Sequence, residues 1–160
     1  MSMQIFGSSN LGLLVRHADI EAGSANDPSL SNAGKRRANE LLKVVGLFAT
    51  DGRRVKAVYA SEMRRTQETV RLLSSASGIR VTVVEANRTE ELARLIHSVT
   101  DGIVVVSGHS NTLPTLIQAL GCSSAVHISE LEFDKLFIID QIGSSTPECT
   151  VLKYGDSGNS

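Results

Sequence analysis

The sequence predicts an α/β domain: a mostly parallel central sheet, antiparallel strands at its edge and helices on both faces, three layers in all. Three observations carry this. Short β-branched runs alternate with longer segments of helical periodicity, strand then helix, four times over. The run 103–106, Ile-Val-Val-Val, is continuously apolar, as suits a central strand covered on both faces. The last two strand-like runs, 135–142 and 149–154, are joined through Gly143-Ser144-Ser145 with no helix between them, the pattern of strands added antiparallel at an edge.

Each element has its own local cause. Residues 13–15, Leu-Leu-Val, form a short apolar strand. From Ser31 to about Phe48 the pattern is helical: Ser31 can cap the start, and Ala38, Leu41, Leu42, Val45 and Phe48 recur at three- and four-residue spacing. Arg53 and Arg54 lie in a polar turn after Asp51-Gly52, and Val55–Ala60 is a second strand. Ser61 is expected to cap a second helix with inner face Met63, Thr66, Val70 and Leu73, stopped at Gly78. Residues 81–84 make a third strand. Thr89 opens a helix whose first turn holds Glu90 and Glu91, where carboxylates complement the helix dipole, and whose stripe is Leu92, Leu95, Ile96 and Val99. Asp101-Gly102 turns into the strand 103–106. Pro114 suits the first turn of a fourth helix that runs to Leu120 and ends at Gly121.

Length and composition bound the class. The 160 residues suffice for one domain with a real core, so 1–160 reads as a single unit with 1–10 and 155–160 as loose tails. The chain is 41% hydrophobic and 21% charged, near the globular average, which argues against disorder. Sixteen basic residues against 17 acidic ones leave a net charge of -1, and with only 4% aromatic residues and no Trp the chain has neither the charge nor the stacking platforms of a nucleic-acid binder. No apolar run approaches membrane-spanning length, and the first ten residues lack a secretory pattern. A cytoplasmic protein with no nucleic-acid or membrane partner is expected. Cys122 and Cys149 show no CxxC spacing; two reduced thiols are the favoured expectation and a disulfide between them the alternative.

Sheets of this kind place their chemistry at the carboxyl ends of the strands. Arg16-His17-Ala18-Asp19 follows the first strand, Ser61 to Thr69 the second, and Ser107-Gly108-His109-Ser110-Asn111-Thr112 the fourth. Three strand ends thus deliver Arg plus His, Arg, and His to one edge. Singly these residues mean little. His97 falls between the buried positions of its helix and should face water, and His127 lies in an irregular stretch with no evident partner. Residues 108–112 approach the nucleophile-elbow pattern, but Thr112 stands where that motif needs Gly, and there is no GxGxxG, P-loop or HExxH. Together they make chemical sense. Two guanidiniums match phosphate oxygens, and two imidazoles offer a nucleophile and a donor. Helix starts after His17, Ser61 and His109 would add backbone N–H groups.

These residues also carry a resemblance. Leu14-Val15-Arg16-His17-Ala18 with Asp27-Pro28-Ser29-Leu30-Ser31-Asn32-Ala33-Gly34, then residues 59–69 (YASEMRRTQET), then Val105-Val106-Ser107-Gly108-His109-Ser110-Asn111, resemble in order the motifs of the histidine phosphatase superfamily, with its phosphoglycerate-mutase-like fold. The likeness covers roughly 13–121 and is nearest to the small phosphohistidine phosphatases of the SixA type. It implies that His17 is the nucleophile that becomes phosphorylated, that Arg16, Arg65, His109 and Ser110 bind the phosphoryl group, and that no metal or other cofactor takes part. Arg65 rather than Arg64 takes this role because it lies four residues after Ser61; Arg64 is expected to be exposed or at the rim. Ala18 departs from the Gly commonest in the family. The general acid is expected at Glu85, with Asp19, Glu90 and Glu91 behind it; for Glu90 and Glu91 a solvated helix start is the simpler reading.

The function so implied is a metal-independent phosphatase acting on a phosphomonoester through a phosphohistidine. A phosphohistidine-protein phosphatase is the alternative, so the partner is a phosphorylated small molecule or a phosphoprotein. A mutase needs an enclosing lid, for which the segment 69–103 has little length, and a mere phosphate binder has no need of a nucleophilic imidazole.

Overall fold

A computed structural model of the chain describes residues 10–123 and 126–155. Six strands and four helices are found among them: β1 (Asn10–Arg16), α1 (Asn32–Phe48), β2 (Val55–Ala60), α2 (Arg64–Ser77), β3 (Val81–Val83), α3 (Thr89–His97), β4 (Gly102–Gly108), α4 (Leu113–Ala119), β5 (Lys135–Asp140) and β6 (Glu148–Lys153). The sheet order is β3-β2-β4-β1-β5-β6. β1 to β4 run parallel, and β5 and β6 add antiparallel at one edge. The expected architecture is the observed one.

Period-two alternation sorts the strand side chains between the layers. Leu11, Leu13, Val15, Ile103 and Val105 join Leu41 and Val45 of α1 and Val70 and Leu73 of α2 in one core. Leu14, Val104 and Val106 join Ile96 of α3 and Leu113, Leu116 and Ile117 of α4 in the other. β1 and β4 are buried over all seven residues each, because both faces are covered. The connection leaving β1 passes over one face and that leaving β4 over the other, so the carboxyl ends of these neighbours form a switch point.

Register sets the level of the site. Arg16 pairs with Gly108 across β1 and β4, and Ala60 with Ser107 across β2 and β4. His17, Ser61 and His109, each next in chain, therefore leave the sheet at nearly one height.

Several expectations are corrected. Asn10 is not part of a loose tail: it is buried at the start of β1 and its amide donates to Val99 O at 2.9 Å. Gly155 packs against the Arg37 guanidinium, whose Nη1 lies 3.0 Å from where a Cβ would stand. Residues 1–9 and 156–160 of the expected tails lie outside the described residues. No helix starts directly after His17; α1 begins at Asn32. Ser61 is not the cap of α2, which starts after Met63. Its first N–H, that of Arg64, is met from a distant loop by Asp27 Oδ1 at 2.9 Å. The cysteines are not free: Cys122 and Cys149 form a disulfide with Cα atoms 6.1 Å apart. The β5–β6 hairpin pairs Cys149 with Ile139 and so carries it to the segment after α4. Among the described residues no helix is long and apolar enough to cross a membrane.

Candidate active site

The main chain holds His17 before any side chain is considered. Its N–H donates to Gly108 O at 2.8 Å, continuing the β1–β4 ladder one step past its end. The next N–H, of Ala18, donates to Thr69 Oγ1 at 2.8 Å, and that hydroxyl donates to Arg65 O at 2.7 Å. Thr69 thus ties the first strand end to the second. His17 Nδ1 lies 2.8 Å from Ala18 O. A carbonyl can only accept, so Nδ1 carries the proton and Nε2 keeps its lone pair. Burial pulls the imidazole down to a pKa of about 4; the Ala18 carbonyl opposes this, and Arg16, Arg65 and His109 add repulsion in the same direction as burial. His17 is neutral at physiological pH.

Arg16 is 8% exposed and its guanidinium carbon sits 4.0 Å from the centroid of the Phe133 ring. Its Nη1 donates to Glu130 O at 2.8 Å and Glu132 O at 3.0 Å, with Ser129 O at 3.3 Å. One end of the fork thus anchors the loop 129–132. The Nε of Arg16 is buried without a partner. A buried donor in that state is costly, and an oxygen of a phosphoryl group is a fitting acceptor for it.

His109 is buried and packs edge-on to His17, with ring centroids 5.5 Å apart. Its Nε2 lies 2.9 Å from Ser61 Oγ. Burial, then Arg65, holds its pKa below the ordinary value, against the pull of Glu62. Arg65, at the start of α2, keeps its side chain 19% exposed, with Nη1 4.0 Å from Asp27 Oδ1. Ser110 is half-buried in the turn after His109. Arg16, His17, Arg65 and His109 therefore lie close together, and both guanidiniums act with burial to lower the pKa of the two imidazoles.

Glu85 lines a narrow crevice beside His109, together with Ser61, Ser107 and Leu113. Its side chain is 60% exposed and ion-paired to Arg88 Nε at 3.1 Å. Glu90 is exposed, and Glu91 is paired to Arg88 at 3.1 Å. Asp19 is withdrawn into an ion pair with buried Arg37 at 2.7 Å. His97 and His127 are both exposed, and the Arg64 side chain is 59% exposed. Sequence reasoning missed Phe133, the carbonyls of 129–132 and Glu62. Glu62 accepts from Ala86 N at 2.8 Å, which keeps its pKa low, and its charge acts on both His109 and Arg65. Its place directly after Ser61 was the available signal; for Phe133 and the loop there was none. Among the described residues no group of three or more His, Cys, Asp or Glu is placed to hold a metal ion.

Residues 13–92 match the family model of the histidine phosphatase superfamily, branch 1. The chain belongs to the histidine phosphatase superfamily. No curated protein matches the sequence. Among solved structures the fold is similar to that of the protein histidine phosphatase SixA complexed with tungstate (TM-score 0.69, 13% identity, 89% of this chain and 96% of that one). It is similar also to a putative α-ribazole-5′-P phosphatase from Escherichia coli K-12 (TM-score 0.65, 18% identity, 89% and 95%). A third likeness is to the mycobacterial glucosyl-3-phosphoglycerate phosphatase (TM-score 0.61, 13% identity, 93% and 100%).

Proposed function

We propose that the protein is a metal-independent phosphatase that hydrolyses a phosphomonoester through a phosphohistidine on His17. The observation that carries this is the hydrogen bond from His17 Nδ1 to Ala18 O, which leaves Nε2 with a lone pair on a neutral ring amid Arg16, Arg65 and His109. In the first step Nε2 attacks phosphorus in line and the bond to the leaving oxygen breaks. Arg16 through its free Nε, Arg65, His109 and Ser110 stabilise the charge on the equatorial oxygens. A carboxyl group, Glu85, protonates the leaving oxygen. Water then attacks the phosphohistidine with the same carboxylate as base, the N–P bond breaks, and phosphate departs. The protein is expected to act in the cytoplasm as a single domain, without nucleic-acid or membrane partners.

Replacement His17→Ala is expected to abolish hydrolysis of p-nitrophenyl phosphate and acid-labile phosphoryl labelling together. Full turnover in that variant would refute the assignment.

A second reading, a phosphohistidine-protein phosphatase, is favoured by the state of Glu85. A mostly exposed carboxylate held by Arg88 is a weakly positioned acid, and an imidazole leaves more readily than an alkoxide. The variant Glu85→Gln separates the two. On the ester reading it lowers p-nitrophenyl-free alkyl phosphate turnover by about 10²-fold, the scale of one general acid. On the second reading hydrolysis of a phosphohistidine peptide barely changes.

A further inference from the structure

We propose that the groove between the first turns of α1 and the outer face of α2 docks an acidic segment of a protein substrate, with one aliphatic side chain of that segment seated on its floor. The inference rests on the phosphatase reading above and narrows its substrate to a phosphoprotein. Leu30, Ala38 and Leu72 form the floor, and Lys35, Arg64 and Arg71 the rim. Arg64, Glu68, Arg71 and Leu72 share one face of α2 at helical spacing, opposite the buried Thr66, Thr69, Val70 and Leu73. Leu72 is 45% exposed there, an apolar side chain left open beside basic ones.

The charge of the groove is one-sided. Glu68 is its single carboxylate, and it is already engaged: one oxygen accepts from Leu30 N at 2.9 Å and the other pairs with Arg64 at 3.3 Å. Neither Lys35 nor Arg71 has an ion pair among the described residues. An aliphatic floor with two basic side chains, Lys35 and Arg71, outside any ion pair on its rim fits acidic residues flanking a leucine-like one. A single-stranded nucleic acid would use the charge but find no aromatic surface to stack on, since none lines the groove. The groove adjoins the candidate site through the start of α2. Arg64 on its rim is followed directly by Arg65, and Asp27 accepts from Arg64 N while lying 4.0 Å from Arg65 Nη1.

Two synthetic peptides test this, alike around one phosphohistidine, one ending in Glu-Leu-Glu-Leu-Glu and the other in Lys-Leu-Lys-Leu-Lys. The expected result is a kcat/KM about tenfold higher for the acidic peptide, the scale that a few exposed ion pairs can supply. The double variant K35E/R71E should lose or reverse that preference while turning over p-nitrophenyl phosphate normally. Equal rates for both peptides, or a preference that survives K35E/R71E, overturns the docking surface. Binding of the fluorescein-labelled, unphosphorylated acidic tail, read by anisotropy, tests the groove without catalysis. Binding lost in K35E/R71E upholds the groove even if neither the peptides nor p-nitrophenyl phosphate are hydrolysed, in which case only the phosphatase reading has failed. An oligothymidylate of equal charge that binds as tightly as the tail would overturn the choice of a protein partner.

Discussion

Ser61 Oγ stands 2.9 Å from Nε2 of His109 and 2.9 Å from Thr66 Oγ1, and it accepts from Met63 N at 3.2 Å. Thr66 Oγ1 in turn accepts from Ser61 N at 3.0 Å and donates to Met63 O at 2.8 Å. The Ser61 and Thr66 hydroxyls on one side of the second imidazole are thus hydrogen-bonded, and the Ser61 hydroxyl can give its proton to Nε2. Nδ1 then carries the ring proton of a neutral His109 and can donate to a phosphoryl oxygen. Replacement Ser61→Ala leaves Nε2 buried without a partner. It should cost about 1–3 kcal/mol of stability in urea denaturation and lower turnover about tenfold at saturating substrate. Unchanged kcat in a folded Ser61→Ala protein would show that this contact does not orient His109.

The depressed pKa of His17 makes a second prediction, on acid stability. The unfolded chain protonates this imidazole near pH 6.5, the folded protein only near pH 4. Between these values the unfolded state binds more protons, so stability falls as the pH drops from 6.5 to 4 and levels off below. A difference of this size corresponds to at most about 3 kcal/mol. Replacement His17→Asn, which keeps a side-chain N–H donor, should flatten the pH dependence of the urea midpoint across that window. The same slope in variant and parent would mean that other groups govern acid unfolding.

The parts of this site legible in the sequence are those set by strand ends. Arg16-His17, Arg65 and Gly108-His109 follow apolar runs whose period marks them as strands, or stand in the first turn after one, and parallel pairing in register does the rest. Gly34 was visible as part of a motif, and its reason is steric: a Cβ there would run into the Asp19 carbonyl, which itself accepts from Ser31 N at 2.9 Å. The loop 129–132 and Phe133 are not legible in the sequence: both reach Arg16 from more than a hundred residues away, the loop through backbone carbonyls, which every residue type supplies equally, and Phe133 through its ring. Chain position alone ranks the general-acid candidates, and it does not reveal that Arg37 holds Asp19 or that Arg88 holds Glu85.

The cysteines were misjudged for the same reason, and they yield a third prediction. Cys122 and Cys149 are 27 residues apart, and only the β5–β6 hairpin brings them together. Closing a loop of that length restricts the unfolded chain by about 3.5 kcal/mol in the loop-entropy model. Reduction with dithiothreitol, or Cys122→Ser with Cys149→Ser, should lower the unfolding free energy by about 2–4 kcal/mol. Activity at 25 °C should persist, since neither cysteine touches the residues around His17. Because reducing compartments keep such pairs as thiols, the oxidised fraction trapped with an alkylating agent in intact cells also tests the expected cytoplasmic location.

The ion pair between Asp19 and Arg37 carries the last prediction. Arg37 is 8% exposed; its Nε donates to Asp19 Oδ1 at 2.7 Å and its Nη1 to Tyr154 O at 3.2 Å. The pair thus joins the segment after β1 to α1 and to the end of β6. Replacement Asp19→Ala strands a buried guanidinium, a loss on the scale of about 3–5 kcal/mol. The water that can reach the quarter-exposed Asp19 position places the expected value at the lower end of that range. If Asp19 served as the general acid instead, Asp19→Asn would lower kcat for an alkyl phosphate by about 10²-fold while the amide still accepted from Arg37. As a structural partner it should do the reverse: a lower urea midpoint, with turnover per folded molecule within about twofold of the parent. Measuring both quantities on Asp19→Ala and Asp19→Asn assigns the residue, and a large drop in kcat for Asp19→Asn at unchanged stability would move it from the scaffold into the chemistry.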